Sequence, residues 1–410
     1  MIQIIWYHKN NQMFSRIFCT GLLLLLFVNM SAQNKRARDY GIPFDGATGN
    51  LNAITDVAGI MVGQATLITG DGALVKGKGP IRTGVTAILP RGKDFAPVYA
   101  NWYALNGNGD MTGTHWITES GFLETPILIT NTGNVGIVRD AAWQWMDNNK
   151  YYTPFYKDHW YAYPVVAETY DGMFNDINGQ HVKKEDVWKA LDIAKPGPIE
   201  EGGVGGGTGM MCYGFKGGIG TSSRIIHKDL GGYTVGVLVQ ANHGSRSQLT
   251  VAGVPVGKEL KDTLLPKFDS PTGKINQLKN EIGSIIIVLA TDAPVLPDQL
   301  KRLAQRIPLG LTRTGGIGGN GSGDIFIAFS TANKNAFSTN KEQQVTTMPN
   351  ENMNALFTAT IQATEEAIIN ALFAGKTMVG INGNTMYGLP KEAVLRIMKK
   401  YNRVNKPLLK

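Results

Sequence analysis

The hydrophobic pattern divides this chain into short apolar blocks separated by glycine-rich and polar stretches. Continuous apolar runs at residues 233–240 (YTVGVLVQ) and 284–290 (SIIIVLA) predict strands buried on both faces, as in the middle of a covered sheet. Ile325, Phe326, Ile327, Ala328 and Phe329 form a third strand of this kind. Shorter strands are expected at 128–131, 165–169 and 84–90, the last closed by Pro90. Residues 52–63 read as a turn followed by a strand at a sheet edge, and residues 378–384 as a strand and turn. Helical spacing appears twice. Leu300, Leu303 and Ala304 put an apolar stripe on a helix over 297–306. Leu356, Ala359, Ala363, Ala367, Ile368 and Ala371 give the buried face of a long helix over 351–374. Residues 104–113 (ALNGNGDMTG) and 331–350 read as loops, and 245–280 as a surface excursion. In the first of these loops Asp110 reads as a turn former, with a functional role as the other reading. The aromatic-rich stretch 143–160 either lines a pocket or buries an insertion.

Residues 1–32 carry a different pattern. Arg16 precedes an apolar stretch, and Ser31–Ala32 offers a small-residue cleavage site. This predicts a signal peptide starting at Met1 or Met13, an exported protein, periplasmic or secreted, and no membrane attachment once the leader is removed. Of the net charge of +8, two charges are Lys9 and Arg16, and residues 399–410 hold much of the rest. No basic–aromatic interleaving accompanies that tail, so no nucleic-acid partner is expected. Fifty glycines with 18% charged residues favour a compact, loop-rich enzyme over a disordered or coiled-coil chain. Cys19 falls in the leader, which leaves Cys212 without a disulfide partner. The six histidines lack metal-ligand spacing, and neither metal nor cofactor is expected.

The densest chemistry lies at 312–333, TRTGGIGGNGSGDIFIAFSTAN, where six glycines fall between Thr314 and Asp324. Gly316, Gly318 and Gly321 fit G-x-G-x-x-G, but a helix precedes them and a strand follows, the reverse of a nucleotide loop. Ser322, flanked by Gly321 and Gly323, is open to attack and able to attack. Two readings stand: a flexible connection with an incidental serine, or a self-cleaving Gly321–Ser322 bond. In the second, the Ser322 hydroxyl attacks the preceding carbonyl. Hydrolysis then frees a residue carrying a nucleophile and an α-amine together, and an amine of pKa about 7.7–8.0 is a plausible base at neutral pH.

Several blocks in one order resemble the P1-type aminopeptidases of peptidase family S58, which include the D-aminopeptidase/esterase and the β-peptidyl aminopeptidases. They are RARDYGIPFDGATGNLNAITDVAGIMVG, EGGVGGGTGM, KGGIGTSSR, VLVQANHG, ATDAPVLPDQLKRLAQR, GSGDIFIAFSTAN and ATEEAIINAL. The resemblance implies an α/β fold, an αββα sandwich resembling N-terminal-nucleophile hydrolases with different strand connectivity. It also implies a single catalytic domain over 33–410, cut into an α chain 33–321 and a β chain 322–410, and a homo-oligomer, a tetramer of αβ units.

With Ser322 as nucleophile, Glu201 is the candidate for recognising the substrate's free amine. A carboxylate paired with an ammonium in a partly desolvated site is the direct solution, and the resemblance points to the same residue. Asn242, at a strand end, is a candidate oxyanion donor. The resemblance further implies Tyr213 near the oxyanion or Ser322, and a hydroxyl–glutamate pair, Thr364 and Glu366, serving the nucleophile. Positions i and i+2 point about 200° apart on a regular helix, which conflicts with a joint role. The expected function is a self-processing serine aminopeptidase acting on small peptides, amides or esters that carry a free amine. An amidase, esterase or β-lactam hydrolase on the same scaffold is the alternative, and an uncleaved binding protein the other.

Overall fold

The computed structural model describes residues 35–154, 157, 159–269 and 283–405. The expected leader lies outside them, as do part of the 245–280 segment and the end of the basic tail. In chain order the strands of the two large sheets are β1 (Met61–Thr69), β2 (Ile81–Lys93), β3 (Val98–Gly107), β4 (Phe122–Leu123), β5 (Ile127–Asn131), β6 (Val165–Thr169), β7 (Gly218–Ile225), β8 (Thr234–Asn242), β9 (Ser284–Thr291) and β10 (Gly323–Ser330). One sheet runs β1-β2-β5-β6 and the other β4-β3-β10-β9-β8-β7. Each sheet contains one parallel pair, β5/β6 and β9/β10, and is otherwise antiparallel.

A parallel pair needs a crossover, and helices supply both. Helix α1 (Val135–Asn148) leads from β5 towards β6, and α2 (Lys184–Asp192) follows β6. Helices α3 (Pro297–Ala304) and α4 (Ile307–Arg313) connect β9 to β10, and α5 (Met353–Ala374) follows. Side chains alternate across the strands and divide the interior into three layers. Ile286, Val288, Ile325, Ile327 and Phe329 meet Ile127, Ile129 and Val165 between the sheets. Ile285, Ile287, Leu289 and Phe326 face α3, α4 and α5. Ala87, Leu128 and Val166 face α1 and α2. The result is helix on sheet on sheet on helix, the expected αββα order. The continuous apolar runs of β8 and β9 are explained by apolar neighbours on both faces. Helix α5 lies so close to β7 that a Cβ on Gly220 would sit 2.0 Å from the carbonyl oxygen of Ala367.

Three boundaries differ from the sequence reading. Strand β2 passes through Pro90 rather than ending there. Its ladder to β1 ends at Leu89↔Met61, so Pro90 lies beyond the paired residues and no donor is missed. Strand β3 extends to Gly107, into the expected loop 104–113, because β10 pairs with it. The segment after β8 is no surface excursion over its described part: Leu249, Val251, Val254 and Val256 are buried in the layer beneath the second sheet. In the aromatic stretch, Trp160 stacks between Trp143 and Tyr152.

Candidate active site

Register across the second sheet assembles the site. Gly323, the first residue of β10, pairs with Gly107 at the end of β3 and with Ser284 at the start of β9. Ser284 in turn pairs with Asn242 at the end of β8. Antiparallel neighbours thus bring two strand ends beside two strand starts, on one line across the sheet. Opposite them lies Glu168, near the end of β6 in the other sheet. Between these groups is a cavity of about 500 Å³, lined by Asn108, Asp110, Glu168, Asn242, Ser284 and Gly321 among others. That volume suits a small-molecule ligand.

Ser322 follows Gly321 directly and is fully buried. It is therefore not the open serine its glycine neighbours suggested. Its amide donates to the Gly319 carbonyl at 2.8 Å, closing a turn over the Gly321–Ser322 bond. Its hydroxyl donates to Asp324 Oδ1 at 2.6 Å. Residues i and i+2 share one face of an extended segment, which brings Ser322 and Asp324 together. Asn108 Nδ2 donates to the Gly321 carbonyl at 2.9 Å, and Asn106 Nδ2 to the Gly319 carbonyl at 2.5 Å. Gly323 has its own steric reason: a Cβ there would lie 2.3 Å from the Asn108 carbonyl oxygen.

Glu168 is 3% exposed. Its Oε1 accepts the Asp110 amide at 3.0 Å, and its Oε2 accepts the Thr132 hydroxyl. Burial pushes its pKa above the ordinary carboxylate value, with the Thr132 and Asp110 hydrogen bonds opposing. Its hydrogen-bond donors are neutral. Asn242 Oδ1 accepts the Met211 amide at 2.8 Å, and Nδ2 donates to the Tyr170 carbonyl at 3.1 Å. An amide NH2 has two hydrogens, so one can still be directed elsewhere.

A buried hydroxyl on a carboxylate, with an amide donor on the adjacent carbonyl, is the apparatus of acyl transfer. Residues 52–386 match peptidase family S58. The chain belongs to this family. It is 53% identical over 386 residues to the β-peptidyl aminopeptidase BapA of Sphingosinicella microcystinivorans, covering 93% of this chain and 96% of that protein. It is 46% identical over 388 residues to the β-peptidyl aminopeptidase BapA of Sphingosinicella xenopeptidilytica, covering 93% of this chain and 95% of that one. Among solved structures it is similar to the L-aminopeptidase D-Ala-esterase/amidase of Ochrobactrum anthropi. The TM-score is 0.81 and the identity 45%, over 90% of this chain and 99% of that one. That structure is described as a prototype for the serine aminopeptidases and a new variant among the N-terminal-nucleophile hydrolase fold. This S58 chain is accordingly a serine aminopeptidase of that type, with two mixed sheets between helices.

Of the residues singled out in the S58 sequence, Asn242 and Gly321 line the cavity and Ser322 adjoins it. The others lie elsewhere. Glu201 Oε2 accepts Arg36 Nε at 2.6 Å and its Oε1 accepts the Thr221 amide at 2.9 Å, away from the cavity lining. An amine would have to displace that arginine. Tyr213 is buried with φ at +50°, and its hydroxyl meets Thr314 Oγ1 at 2.8 Å and His243 Nε2 at 3.2 Å. Thr364 donates to the Thr360 carbonyl at 2.8 Å and abuts Gly310 of α4. Glu366 points instead to β7 and the N-terminal segment, where Arg38 Nη2 and Arg224 Nη2 both reach Oε2 at 2.6 Å. Helix α5 is regular here, so the angular separation of i and i+2 holds and the two side chains diverge.

Burial opposes ionisation of Glu366, but Arg38, Arg224 and Asn52 outweigh it and hold its pKa below the ordinary value. Its stabilising contribution is therefore full at neutral pH and is lost as pH falls through that depressed value. Glu366→Ala leaves Arg224 buried and unpaired. A loss of about 3–5 kcal/mol in unfolding free energy is expected, read as a lower urea midpoint. A shift below 1 kcal/mol would show that the pair does not anchor the helix.

Sequence reasoning passed over Asn108, Glu168 and Ser284, and did not use Asp324. Asp324 had a signal, its period-two spacing from Ser322 ahead of a strand. The other three are ordinary strand-end or loop residues until the sheets are paired.

Proposed function

We propose that this serine aminopeptidase matures by cutting its own Gly321–Ser322 bond and then removes N-terminal β-amino acid residues from small peptides and amides. The observation that carries the amine requirement is Glu168, a buried carboxylate with neutral donors on the wall facing Gly321. A substrate ammonium there would supply the missing positive charge. Glu168 thus takes the role first expected of Glu201, whose charge Arg36 already compensates. Ser322 Oγ attacks the scissile carbonyl, and the freed Ser322 α-amine takes its proton. The second Nδ2 hydrogen of Asn242 stabilises the oxyanion, and water releases the acyl group. The β-residue preference draws support from the two β-peptidyl aminopeptidase relatives. Export and a tetramer of αβ units belong to the same proposal and are checked by N-terminal sequencing of the exported protein and by its solution mass.

A β-residue adds one methylene between amine and carbonyl, and one methylene in a fitted pocket is worth about 10–200-fold in specificity. The test is a panel of p-nitroanilides: β-alanyl, L-alanyl, D-alanyl and N-acetyl-β-alanyl. The β-alanyl compound should have the highest kcat/KM and the N-acetyl compound none measurable. A faster L- or D-alanyl substrate would overturn the β preference. Equal turnover of the acetylated compound would favour the amidase or esterase reading, which the Ochrobactrum anthropi relative's description keeps in view. No hydrolysis of any member would favour the binding-protein reading.

A further inference from the structure

The uncut chain poses a chemical problem that the mature site does not. Before cleavage the Ser322 nitrogen is an amide, its N–H donating to Gly319 O at 2.8 Å. It has no available lone pair and cannot serve as the base. Glu366 and Thr364, the other expected partners, are engaged by Arg38, Arg224 and the Thr360 carbonyl. Two groups do touch the reacting atoms: Asp324 Oδ1 at 2.6 Å from Ser322 Oγ, and Asn108 Nδ2 at 2.9 Å from Gly321 O.

We infer that Asn108 and Asp324 form the self-cleavage machinery, Asn108 as oxyanion donor and Asp324 as general base. This assignment rests on the self-cleavage reading above. The Ser322 Oγ proton passes to the Asp324 carboxylate as Oγ bonds to the Gly321 carbonyl carbon. The carbonyl electron pair moves to Gly321 O, where the charge meets Asn108 Nδ2–H. The C–N bond then breaks, and the Ser322 nitrogen takes the proton back from Asp324, leaving an ester between Gly321 and Ser322. Water hydrolyses that ester to a Gly321 carboxylate and a free Ser322 hydroxyl.

The surroundings hold this geometry in place. Asn106 grips the Gly319 carbonyl, so two asparagine amides from the end of β3 and the residue after it fix the turn that carries the bond. The bare Cα of Gly323 lets residues 108 and 109 lie directly against it, which sets the Asn108 amide over Gly321. Ser284 Oγ accepts the Gly323 amide at 3.2 Å and pins the far side. Once Gly321 has become a chain end, Asn108 no longer holds a scissile carbonyl. Its substitution should therefore slow maturation more than turnover by molecules already cut.

The test follows full-length protein, purified early, by intact mass over time for wild type, Asn108→Ala, Asn108→Asp, Asp324→Asn and Ser322→Ala. Thermal melts report folding. Loss of the oxyanion donor should slow cutting about 10²–10³-fold. Loss of the base should slow it about 10²–10⁴-fold. A folded Asn108 or Asp324 variant that cuts at the wild-type rate overturns the assignment. Where Asn108→Ala fails to melt cooperatively, the isosteric Asn108→Asp, which keeps the shape without the donor, decides. A wild-type chain that stays uncut, as Ser322→Ala does, sinks the self-cleavage reading itself.

Discussion

With Ser322 replaced by alanine, the purified protein is expected to be one uncut chain without measurable aminopeptidase activity. Wild type should give two fragments, one beginning Ser322-Gly323-Asp324 and the other ending at Gly321. The substitution removes a single oxygen, Oγ, which donates to Asp324. Its fully buried site is filled almost as well by a methyl group. The fold should therefore survive, with a melting temperature near that of wild type, while the nucleophile for both cutting and turnover is lost. Removing the nucleophile of a serine hydrolase costs about 10⁶-fold in kcat, which places residual activity below detection. Intact mass and N-terminal sequencing read the first effect, and a β-alanyl anilide assay the second. An alanine variant that is cut at the same bond would mean an external protease makes the cut. One that is uncut yet active would remove Ser322 from catalysis.

Glu168→Gln should divide function from stability. The glutamine keeps the shape, its carbonyl oxygen can accept the Asp110 amide and its NH2 can donate to the rotatable Thr132 hydroxyl, but it carries no charge to pair with an ammonium. Losing a buried, hydrogen-bonded charge partner costs about 2–5 kcal/mol of binding. That corresponds to a fall of about 30- to 4,000-fold in kcat/KM for substrates with a free amine. Stability should move the other way. Burial raises the Glu168 pKa in the folded chain, so the folded state holds its proton to higher pH than the unfolded state. The group's contribution is thus fully present below the unfolded value and lost as pH rises through the folded one. Above that folded value the buried, ionised carboxylate is a cost that glutamine does not incur, and there the variant should melt higher than wild type. In wild type, binding of amine substrates should weaken as pH falls through the raised Glu168 pKa, an acid limb that Glu168→Gln lacks. Unchanged kcat/KM in a folded variant would return the search for the amine site to other carboxylates.

How legible the chain was varied by element. The strand runs at 233–240 and 284–290 and the helix ending at Ala374 lie within a few residues of their expected bounds. In these segments the periodicity is local and the apolar faces are unambiguous. Pro90 misled because a proline stops a ladder only where a partner strand is waiting, and the β1 pairing had already ended at Leu89. The 245–269 segment misled because several of its apolar residues, among them Leu249, Val251, Val254 and Val256, are irregularly spaced. They are nonetheless buried, held by a non-repeating backbone that no period reveals.

The candidate nucleophile was legible for the same local reason as the strands. A serine between two glycines ahead of an apolar run is a feature of adjacent residues, and Asp324 shares its face by the two-residue period of extended chain. The spacing of Thr364 and Glu366 likewise carried its own warning, because an i, i+2 pair diverges on a helix as surely as it converges on a strand. What local patterns in the sequence determined was the strand and helix types and the candidate bond, each set within a few residues, while the layer order was implied by the family resemblance. Which carboxylate faces that bond was decided only by tertiary structure. Glu168 ends an apolar run and Glu201 precedes a glycine-rich stretch, and neither context tells which carboxylate faces the bond. Pairing of β5 with β6 sets one opposite Gly321, while the fold of the N-terminal segment hands the other to Arg36. Strand pairing and the packing of one sheet on the other place those charges, and no local pattern encodes either.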